Sequence, residues 1–100
     1  MVKHVIIWTL KDEYDETQKL QIKKDIKQGL EGLKGQIPGL INITVNIDNL
    51  ESSNTDLMLD SEFEDFDALK GYSVHPEHVK IANTFVRPYT AIRSCFDFEV

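Results

Sequence analysis

EDFDALKGYSVHPEHV, residues Glu64–Val79, is the stretch from which the rest of the chain can be laid out. It carries two of the three histidines, His75 and His78, and sets Tyr72 about one helical turn ahead of them. Phe66, Leu69 and Tyr72 recur at helical spacing and share one side of a short helix. Pro76 then divides the stretch, because proline suits the first turn of a new helix, where the N–H it lacks would go unpaired anyway. His75, directly before it, is placed to cap that second helix. Val79, Ala82, Phe85 and Val86 face the core from it, His78 stands on the margin of the same face, and Pro88 stops the run.

Outward from this stretch the periodicity changes to that of strands. Asp56–Phe63 puts Leu57, Leu59, Ser61 and Phe63 on one face, and Thr90–Val100 sets Ile92, Ser94, Phe96 and Phe98 against Arg93, Cys95 and Asp97. Asn49–Thr55 is a polar loop joining Asp56–Phe63 to Ile41–Asp48. In that strand Ile41, Ile43, Val45 and Ile47 point inward and a polar face marks an edge position. Asp15 caps a helix, with Gln18 completing a capping box. Leu20, Ile22, Ile26, Leu30, Leu33 and Ile37 form its apolar stripe, Gly35 ends it, and Pro38-Gly39 makes the turn out. Gly29 and Gly32 each weaken this helix by about 1 kcal/mol relative to alanine, and close packing against a sheet explains their presence. Val2–Leu10 opens the chain as a strand with His4, Ile6 and Trp8 on one face and Val5, Ile7 and Thr9 on the other.

The order strand, helix, strand, strand, helix pair, strand is a split βαβ within a single domain spanning 1–100. It implies an α+β, ferredoxin-like, four-stranded antiparallel sheet with helices on one face. Those helices can cover only one side. Yet the first and last strands, neighbours in this topology, carry Val5, Ile7, Ile92, Phe96 and Phe98 on the other. Exposing such side chains forfeits about 1.5–3 kcal/mol each, and a contiguous patch of this kind marks an interface. The expectation is a homodimer with the two helix-free faces packed together.

Composition narrows the function. Hydrophobic residues at 41% and charged residues at 28% are ordinary for a globular protein. The net charge of −6 argues against nucleic acid, and Lys19, Lys23, Lys24 and Lys27 read as a solvated helix face. The longest apolar run, Val5–Trp8, is far too short for a membrane helix, and no signal-peptide pattern stands at the start. The lone Cys95 suits a reducing cytoplasm. No nucleophile elbow, glycine-rich phosphate loop or cysteine-bearing metal motif is present, so no cofactor or metal is expected. His75 and His78 stand three apart with Glu77 between them, but Pro76 constrains the turn.

VKHVIIW (Val2–Trp8), SEFEDFDALKGYSVHPEHV (Ser61–Val79), VRP (Val86–Pro88) and FDFE (Phe96–Glu99) together resemble the stress-responsive alpha/beta barrel domain, the Dabb family. The resemblance implies a dimeric α/β barrel and says less about activity, since most members have no assigned reaction. In the family's plant polyketide-cyclase branch, a Tyr and the second His of HPxH take catalytic roles, which fall here on Tyr72 and His78. That branch also places a histidine on the third strand, where this chain has Leu57 and Leu59.

The residues themselves suggest a ligand pocket between sheet and helices. His4, Tyr72, His78 and Arg93 supply its polar groups, and Ile6, Trp8, Leu57, Leu59, Phe85 and Cys95 its apolar surround. Histidine can move a proton near neutral pH and a tyrosine hydroxyl can hold a carbonyl. Each residue also has a purely structural role open to it: a core hydrogen bond for His4 and His78, packing with a bonded hydroxyl for Tyr72, a pair with Asp97 for Arg93. Three readings follow. The chain is a homodimer that binds a small apolar or aromatic ligand, a cofactor-free proton-transfer enzyme such as a polyketide-type cyclase, or a structural stress-response assembly protein.

Overall fold

In a computed structural model of the chain, Met1–Val100, strand β1 (Val2–Leu10) buries every second residue from Val2 to Leu10, as its alternation predicts. Helix α1 (Glu16–Glu31) follows, then β2 (Leu40–Asn46), β3 (Leu57–Phe63), α2 (Phe66–Val74), α3 (Pro76–Ile81) and β4 (Thr90–Glu99). Between α3 and β4 the backbone widens into a π-helical turn, Ala82–Val86. The strands form one antiparallel sheet in the order β2-β3-β1-β4. The fold is thus α+β and ferredoxin-like.

Helix α1 starts as expected. Asp15 accepts the Gln18 N–H at 2.8 Å, and the Gln18 side chain accepts the Asp15 N–H at 2.9 Å. It ends earlier than its apolar spacing suggests, at Glu31 rather than Gly35. Beyond it, bonds from Leu33 to Leu30 and from Lys34 to Glu31 tighten the chain into turns that still bury Leu33 and Ile37. Glu31 is held by β2, its carboxylate accepting the Val45 N–H and the Lys27 ammonium, each at 2.8 Å. Leu20 is half-exposed, because at about 100° per residue it lies across the helix from Ile22, Ile26 and Leu30. Gly29 permits a close approach by α3 and the π-helical turn rather than by the sheet. A Cβ there would stand 2.9 Å from Ile81 and 3.5 Å from Phe85.

Strand β2 is an edge strand as expected, but it runs from Leu40 to Asn46 with a bulge between Leu40 and Asn42. The bulge turns Leu40 inward with Ile43 and Val45 and leaves Ile41 only half-buried. Strand β3 buries Leu57, Leu59, Ser61 and Phe63. In α2, Leu69 and Tyr72 are buried, whereas Phe66, at the first turn, stays exposed beneath the Lys70 ammonium. His75 caps α3 by accepting the Glu77 N–H at 3.1 Å. Ala82 and Val86 are buried, and Val79 and Phe85 half-buried.

The two sides of the sheet differ. Toward the helices, His4 lies opposite Ser61 and Asp97, Ile6 opposite Leu59 and Cys95, Trp8 opposite Leu57 and Arg93. On the other side Val5 and Ile7 are half-buried, and Ile92, Phe96 and Phe98 are 61%, 68% and 39% exposed. The Phe96 and Phe98 rings touch at 5.7 Å between centroids. The apolar patch expected from the strands is therefore contiguous. No helix is long and apolar enough to cross a membrane.

Candidate functional site

Where α2, α3 and the π-helical turn arch over β1 and β4, they leave a cavity of about 160 Å³. Its walls are His4, Ile6, Trp8, Leu30, Leu59, Tyr72, Ser73, His78, Ala82, Val86, Arg87, Thr90 and Arg93. Seven of the ten residues expected at a pocket are therefore brought together. Leu57 is buried in the core beside it, Phe85 packs toward Gly29, and Cys95 lies outside the lining. Ser73, Arg87 and Thr90 join the lining with no signal in the sequence pattern, and Leu30, Ala82 and Val86 serve it as well as the core. Arg87 follows the π-helical turn, where its N–H reaches the Ala82 carbonyl at 2.8 Å. That wider turn sets the end of the helix over the cavity, and such turns recur at functional sites.

Tyr72 is fully buried, its ring set among Phe63 at 5.0 Å, His78 at 4.1 Å and His4 at 6.1 Å. Its hydroxyl, expected to be bonded, has no hydrogen-bond partner in the chain. Burial pushes the phenol well above its ordinary pKa, so the hydroxyl stays protonated and remains a donor.

His78 is half-buried, and its Nδ1 faces the Ser73 carbonyl at 3.4 Å. A carbonyl only accepts, so the contact calls for a proton on Nδ1 and leaves Nε2 with its lone pair. Burial lowers the imidazole pKa despite that bond, and the charges of Arg87, His4 and Arg93 lower it further. The ring is therefore a neutral base at neutral pH. Arg87 and Arg93 give this cavity, lined about equally by polar and apolar groups, two cationic walls.

His4 enters from β1 and is nearly buried. Its Nδ1 meets Asp97 Oδ1 at 2.5 Å across the β1–β4 pairing. Asp97 is thus taken by His4, not by Arg93. His4 stands directly opposite it, whereas four residues of strand put Arg93 about 13 Å along β4. Cys95 completes a small cluster, with Sγ 3.4 Å from Asp97 Oδ1 and 3.9 Å from His4 Nδ1. Burial and the neighbouring Asp97 carboxylate push its thiol pKa up. His75, spent on capping α3, does not join His78 as a second free imidazole.

A model of the stress responsive A/B barrel domain matches residues 2–100. The chain is 29% identical to a dimeric protein of unknown function with a ferredoxin-like fold from Bacteroides fragilis, covering 99% of this chain and 95% of that one at a TM-score of 0.92. A dimeric ferredoxin-like protein of unknown function from Thermobifida fusca is 22% identical, with 99% and 90% covered and a TM-score of 0.78. A hydroxynitrile lyase from Passiflora edulis shares the fold at 16% identity, with 97% and 90% covered and a TM-score of 0.70. No curated protein matches the chain. With the family model spanning all but its first residue, the chain belongs to the Dabb, or stress responsive A/B barrel domain, family.

Proposed function

We propose that this protein is a homodimer that binds a small acidic or carbonyl-bearing compound in the cavity between helices and sheet. The observation that carries this reading is the Tyr72 hydroxyl, a buried donor on the cavity wall with no partner in its own chain. Burying such a group costs about 1–3 kcal/mol, and a ligand oxygen that accepts from it recovers that cost. Arg87 and Arg93 favour an anionic or strongly polarised ligand, and Ile6, Trp8 and Leu59 supply a face for an apolar ring. The cavity volume, about 160 Å³, suits a molecule of roughly one ring.

The dimer forms through the helix-free face, with Val5, Ile7, Ile92, Phe96 and Phe98 covering one another across a twofold axis. The exposure of Phe96 and Ile92 in a single chain supports this, as does the dimeric state stated for two relatives. The free thiol at Cys95 fits a cytoplasmic setting.

Small molecules retained on the purified protein, identified by mass spectrometry after incubation with a metabolite extract, test the reading. Wild type should enrich a planar acid or carbonyl compound, and Tyr72→Phe should enrich it less. No enrichment by wild type leaves assembly as the protein's task and refutes the binding role.

A second reading, cofactor-independent proton transfer, rests on His78. With Nδ1–H directed to Ser73, the neutral ring offers Nε2 as a base while the Tyr72 hydroxyl holds the oxygen on which negative charge develops. Turnover of the captured compound should be lost in folded His78→Ala while binding persists. Equal turnover in that variant removes the catalytic reading and leaves the binding one intact.

A further inference from the structure

We propose that His4 Nδ1, Cys95 Sγ and Asp97 Oδ1 form a three-ligand site for a zinc-class divalent cation at the seam between β1 and β4. These atoms lie within 4.8 Å of one another, and antiparallel pairing produces the arrangement. His4 is directly opposite Asp97, and Cys95 is the next residue of β4 on the same face. One imidazole, one thiol and one carboxylate are the donor types that zinc takes, and three protein ligands leave its fourth position open.

The distances support the fit. Zinc bonds of about 2.0–2.3 Å in a tetrahedral shell hold neighbouring donor atoms roughly 3.3–3.6 Å apart. Sγ is 3.4 Å from Oδ1 and 3.9 Å from Nδ1, so each moves by only a few tenths of an ångström. The Nδ1–Oδ1 separation of 2.5 Å must open by slightly under an ångström, because the proton of their hydrogen bond now holds those atoms together. Binding exchanges that proton for the metal. The His4 ring carries its proton on Nε2 instead, the Cys95 thiol releases one to solvent, and no atom is oxidised or reduced.

Two groups that become anionic stand side by side. Arg93, the single arginine on that face of β4, does not pair with Asp97 but acts on the Cys95 thiol, so an entering cation takes over from its guanidinium in favouring the thiolate. Cys95 and Asp97 are exposed, which gives an ion a way in, while His4 is held in the sheet as a fixed ligand. Because His4 also lines the cavity, the ion would sit behind the wall of the candidate ligand site. The proposal does not depend on that site being occupied.

Cobalt(II) titrated into the reduced, chelator-stripped full chain provides the test, since cobalt replaces zinc and a thiolate ligand gives it a charge-transfer band. The expected result is one cobalt per chain, with that band, displaced by zinc. Cys95→Ser should abolish the band, and Asp97→Asn should weaken binding by more than about 10-fold. Cys95 is exposed, so Cys95→Ser should keep the wild-type thermal midpoint without metal, whereas Asp97→Asn removes the charge that His4 bonds and is compared only after circular dichroism shows it folded. Cobalt bound without a thiolate band, or with equal affinity in Cys95→Ser and Asp97→Asn, would overturn the proposal. So would the absence of binding at millimolar cobalt. His75→Ala serves as the control and should bind as wild type does; loss of binding there would place the ion elsewhere.

Discussion

Replacing Tyr72 by phenylalanine removes one oxygen and keeps the ring among Phe63, His4 and His78. For an ordinary buried tyrosine the loss of a hydroxyl hydrogen bond costs about 0.5–1.5 kcal/mol. Here the hydroxyl is buried with no partner in the chain, so the sign should reverse. The wild type carries a desolvation cost of about 1–3 kcal/mol that the variant lacks, less whatever solvation the cavity returns. Tyr72→Phe is therefore expected to leave the ligand-free protein unchanged or to stabilise it by up to about 3 kcal/mol. For a domain of this size each kcal/mol raises the thermal midpoint by roughly 4–8 °C. Urea and thermal unfolding of both proteins at one concentration, freed of ligand by refolding, would measure it. A loss of about 1 kcal/mol or more in Tyr72→Phe would show that the hydroxyl is bonded within the folded protein, and the reasoning behind the candidate site would fail.

Other consequences follow from the same structure. Phe96→Asp on the helix-free face removes about 1.5–3 kcal/mol of burial from each copy. Dimer affinity should fall by about two to four orders of magnitude, seen by sedimentation, with the circular dichroism of the subunit retained. Gly39 has φ +81°, and a Cβ there would lie 2.4 Å from Ala68 Cβ. Gly39→Ala should therefore lose about 2–5 kcal/mol, strain and overlap combined, in chemical denaturation. Burial holds the His78 pKa below its ordinary value, so below about pH 6.5 the unfolded chain binds a proton that the folded one resists. Stability contributed by neutral His78 is thus complete above that pH and is lost as pH falls toward the folded pKa. A stability–pH profile of His78→Gln should be flatter than that of wild type in this window.

Much of this architecture could be read from residue order because strands declare their faces. The alternation in Val2–Leu10 and Leu57–Phe63 appears unchanged in the burial of His4, Ile6, Trp8, Leu59 and Ser61. Asp15 and Gln18 marked the start of α1, and Pro76 the start of α3, because capping is a local matter. The end of α1 was not legible, since Leu33 and Ile37 keep a helical spacing while being buried from turns. The neighbour of Gly29 and the bulge that turns Leu40 inward depend on tertiary packing, which no local pattern encodes.

The candidate site divides in the same way. Tyr72, His78 and His4 converge because strand alternation and helical spacing both aim them between the layers. Arg87 and Thr90 escaped notice because the π-helical turn, not a regular helix, carries the chain over the cavity. The partner of Asp97 depended on the register between β1 and β4. A shift of two residues would have set Asp97 against another residue of β1 and left His4 without its carboxylate.

The thermal midpoints of wild type and Tyr72→Phe, measured side by side against one series of planar one-ring acids and carbonyl compounds, test the central claim most directly. At least one compound should raise the wild-type midpoint in a concentration-dependent way and bind the variant about two- to tenfold more weakly, the worth of one hydrogen bond. A series that shifts neither protein, or shifts both equally, would contradict a ligand site organised around that hydroxyl.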